Sequence, residues 1–130
     1  MALYVADTHA LLWYLAGSPQ LSSPARSAFD AAASGSNDVV VPAIVIAELV
    51  MLAEKRRGLA DLDQVVATLR ARPGFRLSTL TPELVLRIQK LTLHPDIHDR
   101  LIVAEALELD ATIITRDRAI TSSGLVKVVW

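Results

Sequence analysis

No cysteine occurs among the 130 residues. Disulfides and thiolate-rich zinc or iron–sulfur sites are therefore excluded, and a reducing cytoplasm is the compartment we expect. Aromatic residues make up only 5% of the chain, so aliphatic side chains must fill the interior. Neither sign of charge dominates: 13 Lys and Arg stand against 14 Asp and Glu, a formal net charge of −1. That is not the basic footprint of a dedicated high-affinity nucleic-acid binder. A nucleic-acid substrate would have to be held by local basic groups and metal ions. Long apolar runs are missing too. The longest, Val39 to Ala53, is interrupted by Pro42 and Glu48 and is too short to span a bilayer, so no membrane association is expected. The opening Met1-Ala2-Leu3-Tyr4-Val5-Ala6-Asp7 has no positive segment and meets a carboxylate at once, unlike a signal peptide.

What is present is 52% hydrophobic residues and a mean hydropathy of +0.40. That content argues against disorder and for one packed domain over residues 1–130. Ala, Val, Leu and Ile supply it, as suits a buried sheet covered by helices on both faces.

Strands are expected at Leu3–Ala6, Asp38–Val41, Phe75–Leu80, Ala111–Thr115 and Val126–Trp130. Helices are expected at Ala10–Leu15, from Ser22 or Ser23 to about Ala33, and at Ala43–Arg57, opened by Pro42 and stopped by Gly58. Further helices are expected at Leu62–Arg72, Leu84–Leu91 and His98–Leu109, with a short turn after Asp117. This alternation predicts an α/β fold with a mostly parallel sheet between helix layers.

Three acids sit where an apolar run meets polar residues. Asp7 ends the first strand, Asp117 follows the fourth, and Asp99 lies at the start of a helix. In open α/β sheets, sites form at the carboxyl ends of strands, where Asp7 and Asp117 would both lie. Each of the three could equally cap a helix, and Asp96 with Asp99 could be a cap and a first-turn acid. Glu48 is different. Three and four residues away stand Ile44, Val45, Met51 and Leu52, so nothing cationic pairs with it at helical spacing. Lys55, two turns on, leaves room for a narrow solvent stripe. A buried carboxylate without a partner costs several kcal/mol, roughly, and a divalent cation would offset that. Several carboxylates with few cations nearby suit Mg²⁺ or Mn²⁺, and with them phosphodiester hydrolysis.

At these residues the sequence resembles the PIN-domain family, and within it the VapC-like toxin ribonucleases of toxin–antitoxin pairs. The segment YVADTHALLWYL is similar to the family's opening strand and first acid, matched by Asp7. VPAIVIAELVML is similar to the second segment and matches Glu48, LHPDIHDRLIVAEAL to the third and Asp99, and ATIITRDRAI to the fourth and Asp117. The closing VKVVW resembles its last strand. The resemblance implies a three-layer α/β/α sandwich with a mostly parallel sheet of about five strands and a Mg²⁺ or Mn²⁺ centre. It also implies endonucleolytic cleavage of RNA, a cognate antitoxin protein and a homodimer. By this resemblance Asp7, Asp99 and Asp117 hold the main metal, and Glu48 completes the site. The third motif departs from the common Asp-Pro-Phe-Asp-Arg: here it reads Asp96-Ile97-His98-Asp99-Arg100, with Asp96 a further acid at the edge of the site.

Other residues carry two readings each. Thr8 is a helix-start hydroxyl or a partner of the carboxylates, and Thr115 a strand residue or the same kind of partner. Arg116 meets a phosphate or a surface acid. Arg100 lies within a helix and reads as structural. Lys55-Arg56-Arg57 complements a helix dipole rather than forming an RNA patch. His94 and His98 are four apart, but Pro95 between them resists a helix and no third ligand type completes a zinc site. Trp13 and Trp130 read as packing anchors, since base stacking would require exposure near the acids. Part of the apolar excess, in the Ala43–Ala53 and Ala10–Leu15 helices, is expected as an exposed groove for a dimer mate or an antitoxin helix. An aspartyl-phosphate enzyme is disfavoured, because a haloacid-type phosphatase needs a second Asp two residues after the first and position 9 is His. The alternative function is a catalytically silent PIN-like module that binds RNA or protein.

Overall fold

A computed structural model describes residues 2–55, 61–91 and 96–130. Among them five strands alternate with seven helices. The strands are β1 (Leu3–Ala6), β2 (Asp38–Pro42), β3 (Phe75–Ser78), β4 (Thr112–Ile114) and β5 (Val128–Val129). The helices are α1 (Thr8–Ala16), α2 (Ser23–Ser34), α3 (Ala43–Lys55), α4 (Leu62–Ala71), α5 (Pro82–Arg87), α6 (Ile97–Leu109) and α7 (Arg118–Ser123). Every strand pair is parallel, and the spatial order is β3-β2-β1-β4-β5. None of the described helices is long and apolar enough to cross a membrane.

That order has a direct consequence. From β1 the chain steps outward to β2 and β3, then returns to the other side of β1 for β4 and β5. Right-handed crossovers put the connecting helices of the two halves on opposite faces of the sheet. The strand order reverses between β1 and β4, and at such a switch point a crevice opens beyond the carboxyl ends of the strands. The acids that close β1 and follow β4 therefore face a shared opening.

Parallel strands buried on both faces need near-continuous apolar sequence. Val5, Ala6, Val39, Val41, Ile113 and Ile114 accordingly have no accessible surface. Leu11 of α1, Phe29 of α2 and Ile102 of α6 close over them. The few aromatics are concentrated: Tyr14, Phe29 and Phe75 stack in one column, with ring planes 15° and 7° apart. A smaller cluster of Leu84, Ile88, Leu101 and Ala104 joins α5 to α6. Arg100 serves it structurally, donating to the Ile88 and Leu91 carbonyls at 3.4 and 3.5 Å.

Several element boundaries differ from the sequence expectation. Pro42 does not open α3; it is the last residue of β2, in register with Ser78. Pairing of β2 with β1 ends at Val40, so on that side the missing N–H of Pro42 interrupts no ladder. β3, β4 and β5 are shorter than expected, because β1 has only four residues and β4 pairs with β5 only through Ile113 and Ile114. Helix α1 starts at Thr8, two residues early, because Asp7 caps it. α5 ends at Arg87 and tightens into a 3₁₀ turn over Ile88–Lys90. The expected ends of α3 at Arg57 and Gly58 lie outside the described residues, as do His94 and Pro95.

Gly74 is fixed by close approach. Its N–H donates to the Ala32 carbonyl, and its own carbonyl accepts from Val39 N–H, tying the end of α2 to the start of β2. A Cβ there would overlap the carbonyl oxygens of both Ala32 and Asn37. Because those are backbone atoms, Gly74→Ala should destabilise the fold by about 1–3 kcal/mol. Urea unfolding should show a lowered midpoint, whereas Gly17→Ala, at a site with no neighbour within 4 Å, should show only the smaller strain of its positive φ.

Candidate active site

Asp7 is held from four directions. Its backbone N–H donates to the Ile114 carbonyl, tying the end of β1 to the end of β4. Its carbonyl accepts the first helical hydrogen bond of α1, from Leu11 N–H. Its Oδ1 accepts from Thr8 N–H at 2.7 Å, the capping role foreseen as one of its two readings. Its Oδ2 accepts from the Thr115 hydroxyl at 2.6 Å.

Thr115 is fully buried. While its hydroxyl donates to Asp7, its oxygen accepts the backbone N–H of Asp117 at 3.0 Å. One side chain thus joins the two acids that flank the switch point. Asp117 in turn caps α7, with Oδ1 accepting from Ile120 N–H at 3.0 Å. Its Oδ2 has no hydrogen-bond partner among the described residues, and Asp117 lines the cleft described below.

Glu48 joins from α3. Its Oε1 accepts from the buried Thr8 hydroxyl at 2.5 Å, and its Oε2 lies 3.5 Å from His98 Nδ1. The same imidazole nitrogen is 3.6 Å from Asp96 Oδ1. Asp96 caps α6 through His98 N–H, and Asp99 occupies the first turn of that helix, half-buried. The narrow stripe expected beside Glu48 is real: Glu48 and Lys55 line one shallow recess together with Thr8 and His9. Asp96, His98, Glu48, Thr8, Asp7, Thr115 and Asp117 therefore form one continuous polar chain across the carboxyl edge of the sheet. Among the described residues, however, no three His, Cys, Asp or Glu side chains are grouped so as to hold a metal ion. The acids are strung along an edge and do not form a ready-made ligand cage.

The electrostatics turn on Asp7. Burial pushes its carboxyl above the usual carboxylate range, and the nearby Asp117 pushes the same way. The Thr115 and Thr8 hydrogen bonds and the charge of His9 oppose the rise without cancelling it. Among the described residues no Lys or Arg forms an ion pair with Asp7, Glu48 or Asp117. The Arg116 guanidinium, which lines the same cleft as Asp7 and Asp117, is engaged elsewhere, 4.4 Å over the ring of Trp13. A buried carboxylate that burial and a neighbouring acid destabilise, beside a carboxylate with a spare oxygen, fits a hard divalent cation. The donors are all oxygens and one imidazole, which suits Mg²⁺ or Mn²⁺ better than a thiophilic metal.

Asp7 and Asp117 open into a cleft of about 380 Å³ whose walls also include His9, Trp13, Gln20 and Arg116. Gln20 carried no signal in the sequence; it reaches the cleft only because the loop after α1 folds back beside it.

A family model of the PIN domain matches residues 4–122. The chain belongs to the PIN-domain family. Solved structures agree with the fold. VapC20 of Mycobacterium tuberculosis, described as a sarcin–ricin-loop-cleaving toxin, superposes with a TM-score of 0.69 at 18% identity over 98% of both chains. FitAcB of Neisseria gonorrhoeae gives 0.66 at 20% identity, covering 96% of this chain and 95% of the other. VapBC2 of Rickettsia felis, solved with a DNA fragment from its promoter, gives 0.65 at 17% over 98% and 97%. No curated protein matches. The four acids singled out in the sequence, Asp7, Glu48, Asp99 and Asp117, lie on or beside elements that end at the carboxyl edge of the sheet or begin beyond it.

The raised Asp7 carboxyl has a stability consequence. Its folded pKa lies above its unfolded value, so the native state holds the proton more tightly. In metal-free buffer, wild-type stability should fall as pH rises from the ordinary carboxylate range through the raised value, then level off. Asp7→Asn should lack that component and should match or exceed wild type at pH 8. Parallel urea titrations in EDTA between pH 4.5 and 8 test this; a wild type that gains stability over Asp7→Asn with rising pH contradicts it.

Proposed function

We propose that this PIN domain is a Mg²⁺- or Mn²⁺-dependent endoribonuclease acting in the cytoplasm as the toxin of a toxin–antitoxin pair. The observation that carries this reading is the Asp7–Thr115–Asp117 arrangement: two carboxylates locked at the switch point of a parallel sheet, one destabilised by burial, opening into a cleft. The family and the VapC and FitB structures support the ribonuclease class. The toxin–antitoxin complexes among those structures also support a cognate antitoxin protein as partner; a homodimer is the assembly we propose with it.

Asp7 and Asp117 would hold the ion through Oδ oxygens turned to the cleft, with Asp99 and Asp96 adding negative charge from the start of α6. Bound there, a divalent ion supplies an activated water and neutralises charge on the phosphodiester. The remaining work belongs to the chain. Glu48, kept in place by the Thr8 hydroxyl and beside His98, orients the attacking water and receives its proton. Thr115 fixes the Asp7 carboxylate, so that no side-chain reorganisation is needed at the moment of reaction. Arg116, exposed at the rim, is the cation within reach of an incoming phosphate. As water adds to phosphorus, one P–O ester bond breaks and the departing oxygen takes up a proton.

Purified protein incubated with RNA should cleave it in Mg²⁺ or Mn²⁺ and stop in EDTA. Asp7→Asn and Asp117→Asn should each reduce the rate at least about 100-fold. Thr115→Val, which keeps shape and removes the bridge, should cost about 10–100-fold, and Thr115→Ser much less. Cleavage that continues in EDTA, or that survives both Asn variants, sinks the reading. A folded protein that binds RNA but never cuts it would establish the silent module instead.

A further inference from the structure

The acids form only part of the wall of the 380 Å³ cleft. The rest of the wall brings different chemistry: the indole of Trp13, the amide of Gln20 and the guanidinium of Arg116. Only six aromatic residues occur in the chain, three are stacked in the core, and two, Trp13 and Trp130, are here. Trp13 packs against the core, as its packing reading expects, but is not sealed there. It stays partly exposed and forms part of the cleft wall, so the exposure near the acids that base stacking requires is met.

The indole is steadied from within. Trp130 meets it edge-on at 5.8 Å with planes 62° apart, and His9, one turn earlier on α1, meets it tilted at 5.8 Å. What covers its face is the Arg116 guanidinium, 4.4 Å from the ring centroid. Arg116 is itself exposed, and an exposed cation–π contact is weak beside base–indole stacking. Trp13 lies six residues along α1 from Asp7, about 9 Å of helix axis. Gln20 offers both a donor and an acceptor in the wall of the same cleft.

From this arrangement we infer that the cleft contains a nucleobase slot, in which an unpaired base of the strand stacks on Trp13 and displaces the Arg116 guanidinium. Gln20 meets the edge of that base. Arg116, the residue adjacent to Asp117, is released toward the phosphate on which the carboxylates act. Base capture and phosphate engagement are thereby coupled: a strand that fills the slot frees the cation that grips it. This requires an unpaired base, because a base inside a duplex has no free face. The inference rests on the proposed ribonuclease reading for its substrate, and on the Trp13 geometry for its site.

Two measurements test the slot and keep it separate from the nuclease reading. In Trp130→Phe, Trp13 is the sole indole. Adenosine monophosphate added in EDTA should quench its fluorescence, and ribose 5-phosphate should not. Equal quenching by the two, or none by either, overturns the slot even if RNA is cleaved. Quenching by the nucleotide alone in a protein that never cleaves RNA upholds the slot and removes the nuclease reading. Second, RNA substrates carrying one abasic residue near the cut should be compared between wild type and Trp13→Leu. Wild type should lose about 5–100-fold in kcat/KM at one abasic position, and Trp13→Leu should lose nothing further there. A Trp13→Leu defect that is the same on intact and abasic RNA would mean that the indole only supports the fold, and would contradict the proposal.

Discussion

The hydrogen bond on which the site depends is the one from the Thr115 hydroxyl to Asp7 Oδ2. It crosses from the end of β4 to the end of β1 at the point where the strand order reverses. The same hydroxyl oxygen accepts the Asp117 N–H, so one buried group sets the spacing of two carboxylates. The alternative arrangement is costly. Without that donor, a carboxylate already disfavoured by burial would be left with one fewer partner in a place water reaches only through the cleft. The backbone bond from Asp7 N–H to the Ile114 carbonyl does the same work for the main chain, and α1 and α7 each start from one of the two acids. Capping and candidate catalysis are the same geometry: the caps hold both carboxylates still, Asp7 with both oxygens hydrogen-bonded and Asp117 with only Oδ1 engaged.

Around this pair the molecule divides its polar groups. Glu48, His98 and Asp96 extend the edge through Thr8, while Trp13, Arg116 and Gln20 share the cleft with Asp7 and Asp117. A net charge of −1 is compatible with an anionic substrate only if cations are local. Arg116 is placed for that, next in sequence to Asp117 and parked on an aromatic face. The weak overall charge thus becomes a statement about where binding energy comes from: the site itself and not a broad basic surface.

Much of this was legible in the residues alone, for identifiable reasons. Asp7 and Asp117 were readable because a strand's apolar run ends at a carboxylate only where the chain leaves the sheet. Glu48 was readable because Ile44, Val45, Met51 and Leu52 leave no cation at helical spacing. Asp96 and Asp99 turned out as cap and first-turn acid, a pattern that local spacing already contains. Pro42 misled, because its tolerance inside β2 depends on where pairing with β1 stops, a fact of tertiary register. The role of Thr115 as a bridge was half visible: its proximity to Asp117 is sequential, but its bond to Asp7 spans 108 positions. Gln20 and the stacking of Arg116 on Trp13 were invisible, since nothing in local pattern says that a loop and a rim residue meet one helix face. How closely the four acids approach one another is likewise tertiary: hydrogen bonds join Asp7 to Asp117 through Thr115 and to Glu48 through Thr8, links that sequence order does not contain.

The central claim is that Asp7 and Asp117 together form a divalent-cation site. Mn²⁺ titration followed by electron paramagnetic resonance tests it without reference to any substrate. The account predicts saturable binding by wild type, abolished or weakened at least about 10-fold by Asp7→Asn and by Asp117→Asn, and weakened in between by Thr115→Val. Mn²⁺ binding of unchanged affinity in both Asn variants, with the proteins folded, would contradict it.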